Sequence, residues 1–159
     1  MDIRLFHHYT TVVWETIVSA GISNETIWAH DVPQLAFEHP YLMHSVLTFA
    51  ANHFSRSHQG ADHAPATLEQ VVPFHRGDAL RLLGEAVRSV TPENLDALVA
   101  SSILLILDSL ANASPPEDQS ASSLPASAWL HHVRGAATIL TAIGPPSPDS
   151  RFFNLVNVD

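Results

Sequence analysis

The feature of this sequence that most constrains its fold is a long apolar segment, LDALVASSILLILDSLA, at residues 95–111. It follows Thr91-Pro92-Glu93, which combines a capping residue, a proline at the first helical position and an acidic residue in the first turn. A helix that begins here is apolar on nearly all sides, so other elements must cover it. The segment therefore predicts a central, buried helix.

The first third of the chain also has helical periodicity. Apolar residues at steps of three and four predict one face of a first helix, made of Phe6, Tyr9, Val13, Ile17 and Ala20. Gly21 is expected to end this helix. Pro33 suits the first turn of a short helix, and His39-Pro40 predicts a break before a helix that fades near Ser57.

The remainder predicts further helices and one long loop. A third main helix is indicated by the apolar positions Ala79, Leu83, Val87 and Val90, and a last one by residues 129–143. Residues 113–126 are rich in proline and serine and predict a mobile loop. No strand-like alternation occurs. The fold class is therefore all-α, a single-domain helical bundle of about five to six helices over residues 1–159.

Composition excludes several classes of function. The net charge is −9, lysine is absent and the seven arginines are scattered singly, so we expect no direct binding to nucleic acid. Cysteine is absent, which removes disulfides, thiolate nucleophiles and cysteine-based zinc modules. No glycine-rich loop or GxSxG motif is present, and we expect no cofactor.

The sequence shows no membrane or secretion signal. Asp108 interrupts the longest apolar run, and the N-terminal residues lack the pattern of a signal peptide. We therefore expect no membrane span and an intracellular location, cytoplasmic or nuclear.

Eleven histidines raise the question of metal binding or acid–base chemistry. The adjacent pairs, at 7–8 and 131–132, point about 100° apart on a helix, and other histidines are five residues apart. Neither spacing places two ligands on one face, so we expect no metal site. Imidazole titrates near neutrality, so histidines would be the natural acid or base if the protein were an enzyme. The candidates for that role are His8, His39, His44 and His132.

Four segments together carry a resemblance to a known family: LFHHYTT, VPQLAFEHPYLMHSVLTFAANH, HRGDALRLL and TPENLDALVASSILLI. In order and spacing they resemble the regulatory domain of fungal zinc-cluster transcription factors, most closely the branch of the sterol-uptake-control regulators. The resemblance covers residues 3–143. It implies an α-helical effector domain with an apolar pocket for a sterol-like or other hydrophobic molecule. The six-cysteine zinc cluster that binds DNA in that family is not in this sequence, so we expect an excised domain or a free-standing relative.

The aromatic residues are candidates for the walls of such a pocket, because rigid rings with polar tips suit hydrophobic ligands. Each could equally fill the core. The ligand-binding candidates are Tyr9, Trp14, Trp28, Phe37, Tyr41, Phe49 and Trp129.

Three functions remain open at this point. The first is an effector domain that binds a hydrophobic small molecule, sterol-, terpenoid- or polyketide-like, without converting it. The second is a cofactor-independent cyclase or isomerase of fungal specialised metabolism that uses the same pocket. The third is an interaction module that pairs with full-length regulators. In each case the small number of helices around an apolar helix predicts a homodimer.

Overall fold

Six α-helices and two π-helical turns form most of the chain that the computed structural model describes, which is residues 1–21, 24–58, 67–112, 134, 138, 141–145 and 147–153. The helices are α1 (Asp2–His8), α2 (Trp14–Ser19), α3 (Val32–Glu38), α4 (Pro40–Ser57), α5 (Thr67–Ala86) and α6 (Pro92–Asn112). The π-helical turns are Tyr9–Val13, between α1 and α2, and Ile27–Asp31, before α3. These described residues contain no strand, so the all-α prediction is confirmed.

The central helix of the bundle is α6, as the apolar segment predicts. Every residue from Ala97 to Leu105 is buried, which means that neighbours cover all sides of this stretch. Helix α4 packs along α6, and α3 and α5 also contact it. By length and composition α6 could cross a membrane, but most of its apolar part is buried inside the bundle. Burial between helices therefore accounts for its apolar character.

The first helix differs from the predicted one in the residues that face the core. The buried stripe has a uniform spacing of four residues and consists of Leu5, Tyr9, Val13 and Ile17. Phe6 is partly buried against the core, whereas Ala20 is exposed, so the predicted face was wrong at its C-terminal end. Residues four apart drift by about 40° per step in an α-helix. A π-helical turn holds more residues than an α-helical turn, because its hydrogen bonds join residues five apart instead of four. The π-helical turn at Tyr9–Val13 therefore offsets this drift.

The breaks between helices lie where the local sequence predicts them. Gly21 follows α2 with a φ of +79°, a conformation that favours glycine. Pro33 lies in the first turn of α3, and Pro40 begins α4 after His39, which is extended (φ −124°, ψ 97°). Because proline lacks an N–H and disfavours a helical residue before it, Pro40 defines the start of α4. Pro33 does not begin a helix, since Val32 before it is helical (φ −62°, ψ −47°) and the π-helical turn continues directly into α3.

Helix α5 ends earlier than its apolar periodicity predicts. Ala79 and Leu83 are fully buried, as expected, but the helix ends at Ala86 and Val90 is 45 % exposed. The chain must leave the helix here because α6 begins at Pro92, only a few residues later. The start signal of the following helix therefore takes precedence over the periodicity.

A buried ionic cluster connects α4, α5 and α6. Asp108 on α6 is 1 % exposed and accepts hydrogen bonds from Arg76 on α5 and from Asn52 on α4. The side chain of Asn112, one turn further along α6, donates to both the carbonyl and the carboxylate of Asp108. A buried carboxylate is tolerated only when it is paired and hydrogen-bonded in this way. The cluster therefore fixes the three main helices against one another.

The segment near the C-terminus packs against the first half of the chain. The ring of Phe152 is fully buried and meets that of Trp28 edge-on, with centroids 5.8 Å apart. The guanidinium of Arg151 lies 2.6 Å from a carboxylate oxygen of Asp31 and 3.7 Å from one of Asp96. The loop predicted at 113–126, and most of the helix predicted at 129–143, lie outside the described residues. The single-domain extent over residues 1–159 stays a prediction.

Candidate ligand-binding groove

A groove with a volume of about 510 Å³ runs along the first helix. Its position follows from the packing of α1 across α4, which leaves one side of α1 without contact to the other described helices, next to the end of α4 and the start of α5. The described lining consists of Met1, Ile3, Arg4, Leu5, His7, His8, Thr11, Phe54 and Leu68.

The apolar wall of the groove begins in the core and ends at the surface. Leu5 and Leu68 are 2 % and 3 % exposed and belong to the hydrophobic core, whereas Ile3 at the rim is 87 % exposed. Phe54 lies between two imidazoles: His8 meets it edge-on at 5.2 Å, and His58 stacks on it at 4.1 Å between centroids. These contacts hold the phenyl ring in one orientation and give the groove a rigid wall.

The polar part of the wall contains a pair of histidines. His8 Nε2 lies 3.0 Å from His53 Nδ1 of α4, so one ring donates a hydrogen bond and the other accepts it. Burial lowers the pKa of His8, and the nearby His53, His58 and His7 lower it further. Burial also lowers the pKa of His53, with Arg56 as a second cause. At neutral pH the two rings are therefore neutral, and His8 can exchange a proton or a hydrogen bond with a ligand.

The rim carries the remaining polar groups, Arg4, His7 and Thr11. The hydroxyl of Thr11 donates to the carbonyl oxygen of His7 at 2.8 Å. The guanidinium of Arg4 is exposed and forms no ion pair with any residue that the structure describes. No carboxylate is among the described lining residues.

A second histidine pair lies outside the groove lining. His44 Nδ1 of α4 is 2.8 Å from His75 Nδ1 of α5. Asp2 lies 3.5 Å from His75 Nε2, and Asp78 lies 4.0 Å from His44 Nε2. Burial lowers the pKa of His75, although the charge of Asp2 acts in the opposite direction. The carboxylate of Asp2 thus faces α5.

Metal coordination would need a third ligand beside either histidine pair. Within the described ranges, no three histidine, aspartate or glutamate side chains converge in a way that could hold an ion. We therefore treat both pairs as hydrogen-bonded links between helices.

A second depression, of about 410 Å³, contrasts with the groove in its charge. It lies between the start of α6 and the segment near the C-terminus, and its lining includes Asp96 and Asp149. Asp96 accepts a hydrogen bond from the hydroxyl of Ser150 at 2.6 Å and also pairs with Arg151. The two carboxylates make the depression acidic, and these contacts occupy the carboxylate of Asp96.

Most of the aromatic candidates lie elsewhere. Tyr9 and Trp28 are fully buried in the core, where the Tyr9 hydroxyl donates to the carbonyl oxygen of Trp28 at 3.2 Å. Tyr41 is also buried, Phe37 is 71 % exposed, and the partly buried Trp14 and Phe49 pack at the edge of the core. None of these six lines the groove, and Trp129 lies outside the described residues. Their role in binding stays a prediction.

The histidine candidates separate in the same way. His8 lines the groove, whereas His39 lies 3.3 Å from the hydroxyl of Tyr41 and His44 belongs to the second pair. His132 lies outside the described residues. The structure thus brings His8 together with His53, which the sequence reasoning had not selected.

The groove residues that sequence reasoning missed carried a local signal. Met1, Arg4 and Thr11 lie with the selected His8 at steps of three and four along the first helix, which is the spacing of one helix face. This face carries an arginine, a histidine and a threonine beside the apolar stripe. Leu68 and Phe54 carried no such signal, because only the packing of α4 and α5 brings them to α1.

Comparison with known proteins identifies the class to which this chain belongs. Residues 4–156 match the model of the fungal specific transcription factor domain, and the chain belongs to this family. Two similar relatives are named sterol uptake control protein 2. The one from Candida albicans is 57 % identical over the whole chain, and the one from Saccharomyces cerevisiae is 52 % identical. The chain spans only 21 % and 17 % of their lengths.

A more distant relative is the Zn(2)-C6 fungal-type transcription factor afumD of Aspergillus fumigatus. It is 30 % identical over 147 residues, which cover 89 % of this chain and 37 % of the relative. The resemblance to fungal zinc-cluster regulators is thereby confirmed.

Proposed function

We propose that this chain is an effector domain that binds a hydrophobic small molecule, sterol-, terpenoid- or polyketide-like, in the groove along α1. The observation that carries the proposal is a groove of about 510 Å³ with a core-connected apolar wall and a few polar groups at its rim. Ligand sites in proteins generally have this composition. The names of the two sterol uptake control relatives favour a sterol-like ligand over other apolar molecules.

Binding of the fluorescent sterol dehydroergosterol tests the proposal. Thr11 lines the groove and is exposed, so Thr11→Trp fills the groove without disturbing the core. We expect this variant to bind the sterol at least about tenfold more weakly, which corresponds to about 1.4 kcal/mol. Val12→Trp is the matched control, since Val12 is 41 % exposed in the same turn and does not line the groove. Equal affinities of Thr11→Trp and the unchanged protein would contradict the proposal.

The alternative function is a cofactor-independent cyclase or isomerase that uses the same groove. The observation in its favour is His8, an imidazole that lines the groove, has a lowered pKa and is hydrogen-bonded to His53. A neutral imidazole beside an apolar ligand can act as a proton acceptor. Incubation with polyketide and terpenoid intermediates, followed by mass spectrometry, tests this function. His8→Gln should then reduce turnover by ~10².

We also propose that the chain forms a homodimer through exposed apolar residues, in a nuclear or cytoplasmic protein. Phe37 and Phe74 are 71 % and 61 % exposed, which is unusual for phenylalanine in a monomer. Phe37→Asp and Phe74→Asp should shift the dimer to a monomer in light scattering. A monomer mass for the unchanged protein at micromolar concentration would contradict this part of the proposal.

A further inference from the structure

We infer that the groove selects an amphiphile with one anionic head group, a carboxylate on an apolar body, and that Arg4 recognises that head group. The inference rests on the proposed ligand-binding function and specifies the class of ligand. It is carried by the charge distribution around the groove and by the absence of an ion-pair partner for Arg4 among the described residues.

The described lining of the groove carries no negative charge, although the protein is acidic. The chain has 16 acidic residues and a net charge of −9, yet the described lining contains no carboxylate. Asp2, which lies next to the lining residues in sequence, directs its carboxylate to His75 at 3.5 Å. The second depression, by contrast, has two carboxylates in its lining. Of the groove and the second depression, the groove is the one that could accept an anion without like-charge repulsion.

Arg4 supplies a permanent positive charge to the described lining of this groove. The other polar side chains of the described lining are His7, His8 and Thr11, and the lowered pKa of His8 leaves that ring neutral at pH 7. Arg76, Arg81 and Arg151 are each paired with a carboxylate in the structure, whereas Arg4 has no such partner among the described residues. A guanidinium presents a planar fork that matches both oxygens of a carboxylate.

The position of Arg4 relative to the apolar wall indicates an amphiphile. Arg4 is exposed at the rim, and its neighbour Leu5 is buried at the base of the groove. An apolar body lying against Leu5, Phe54 and Leu68 would therefore leave its polar end near the guanidinium and in contact with water. One guanidinium balances one negative charge, which fits a carboxylate better than a doubly charged phosphate.

A pair of matched probes tests the inference: lithocholate, a steroid carboxylate, and its uncharged methyl ester. Isothermal titration below the micelle concentration gives both affinities. The ester is the more apolar molecule, so tighter binding of the acid requires an interaction with its charge. We expect Arg4→Gln to weaken lithocholate binding by about threefold to fivefold, the range of an exposed ion pair, and to leave ester binding unchanged.

Two controls isolate the charge of Arg4. Arg88→Gln removes another exposed arginine that has no ion pair within the described ranges and lies outside the groove, and it should change neither affinity. Arg4→Lys keeps the charge and should retain the preference for the acid. Raising the salt concentration should weaken binding of the acid only, because exposed charges are screened.

The outcomes separate this inference from the proposed function. Equal binding of acid and ester, or an Arg4→Gln variant that binds lithocholate as well as the unchanged protein does, would overturn the inference. If neither probe binds while dehydroergosterol does, the inference fails and the ligand-binding function stands. If none of the three molecules binds, both fail.

Discussion

Arg76 and Asp108 form a two-point ion pair inside the helical bundle, with Nε and Nη2 of the arginine 3.0 and 2.7 Å from the same carboxylate oxygen. The side chains are 10 % and 1 % exposed, so both charges are largely removed from water. Each charge therefore depends on the other for compensation.

Removal of one partner of this pair should destabilise the fold strongly. Arg76→Met leaves the carboxylate of Asp108 buried with only the amides of Asn52 and Asn112 as donors. We expect a loss of about 3–5 kcal/mol in the free energy of unfolding, measured by urea denaturation. Arg81→Met is the matched control, because the ion pairs of Arg81 with Asp78 and Glu85 are at the surface. It should cost less than about 1 kcal/mol. Similar losses in the two variants would contradict the structural role of the cluster.

Two adjacent serines of α6 should respond to alanine in opposite directions. The hydroxyl of Ser101 is 2.7 Å from that of Ser45 on α4, so Ser101→Ala removes a buried hydrogen bond and should cost about 1 kcal/mol. The hydroxyl of Ser102 is buried and has no hydrogen-bond partner among the described residues. Ser102→Ala should therefore raise the free energy of unfolding by about 1 kcal/mol. Thermal or urea unfolding measures both changes. A destabilised Ser102→Ala variant would contradict this prediction.

Acidification should weaken the fold through the histidine pair of the groove. The pKa values of His8 and His53 are lowered in the folded state, so the unfolded chain binds more protons just below pH 6.5. The contribution of these rings to the free energy of unfolding is fully present above pH 6.5 and is lost as the pH falls through their lowered pKa values. We expect the free energy of unfolding to decrease from pH 7 to pH 5.5.

His53→Gln isolates this pH dependence. It removes one titrating ring of the pair and should make the decrease between pH 7 and pH 5.5 shallower. His30→Gln, at an exposed position outside the groove, should leave the slope as it is in the unchanged protein. Identical slopes in all three proteins would show that the pair does not contribute.

Several helix boundaries could be predicted from the sequence because local chemistry sets them. Pro40 and Gly21 act through their own backbone restrictions, and Thr91-Pro92 is a local start signal for a helix. The buried position of α6 was predictable for a similar reason, since a helix that is apolar on nearly all sides has no stable exposed orientation.

The candidate groove could be predicted only in part. His8 was selected from its residue type, but its partner His53 is 45 residues away and reaches it only through the packing of α1 on α4. Aromatic residue type did not distinguish wall from core: Trp28 is buried in the core, whereas Phe54 lines the groove. Composition indicates what a side chain can contact, and the helix packing decides what it does contact.

The π-helical turn at Tyr9–Val13 has a consequence for how the length of this segment can change. The stripe from Leu5 to Ile17 stays on the core because this turn holds an additional residue. Deletion of one residue between Tyr9 and Val13 would remove that additional residue and restore ordinary α-helical hydrogen bonding. Leu5 and Ile17 would then be separated by close to three full α-helical turns, so both would still face the core. The segment can therefore lose one residue at this turn and keep its core face, whereas a deletion in α1 or α2 would rotate every later position by about 100°.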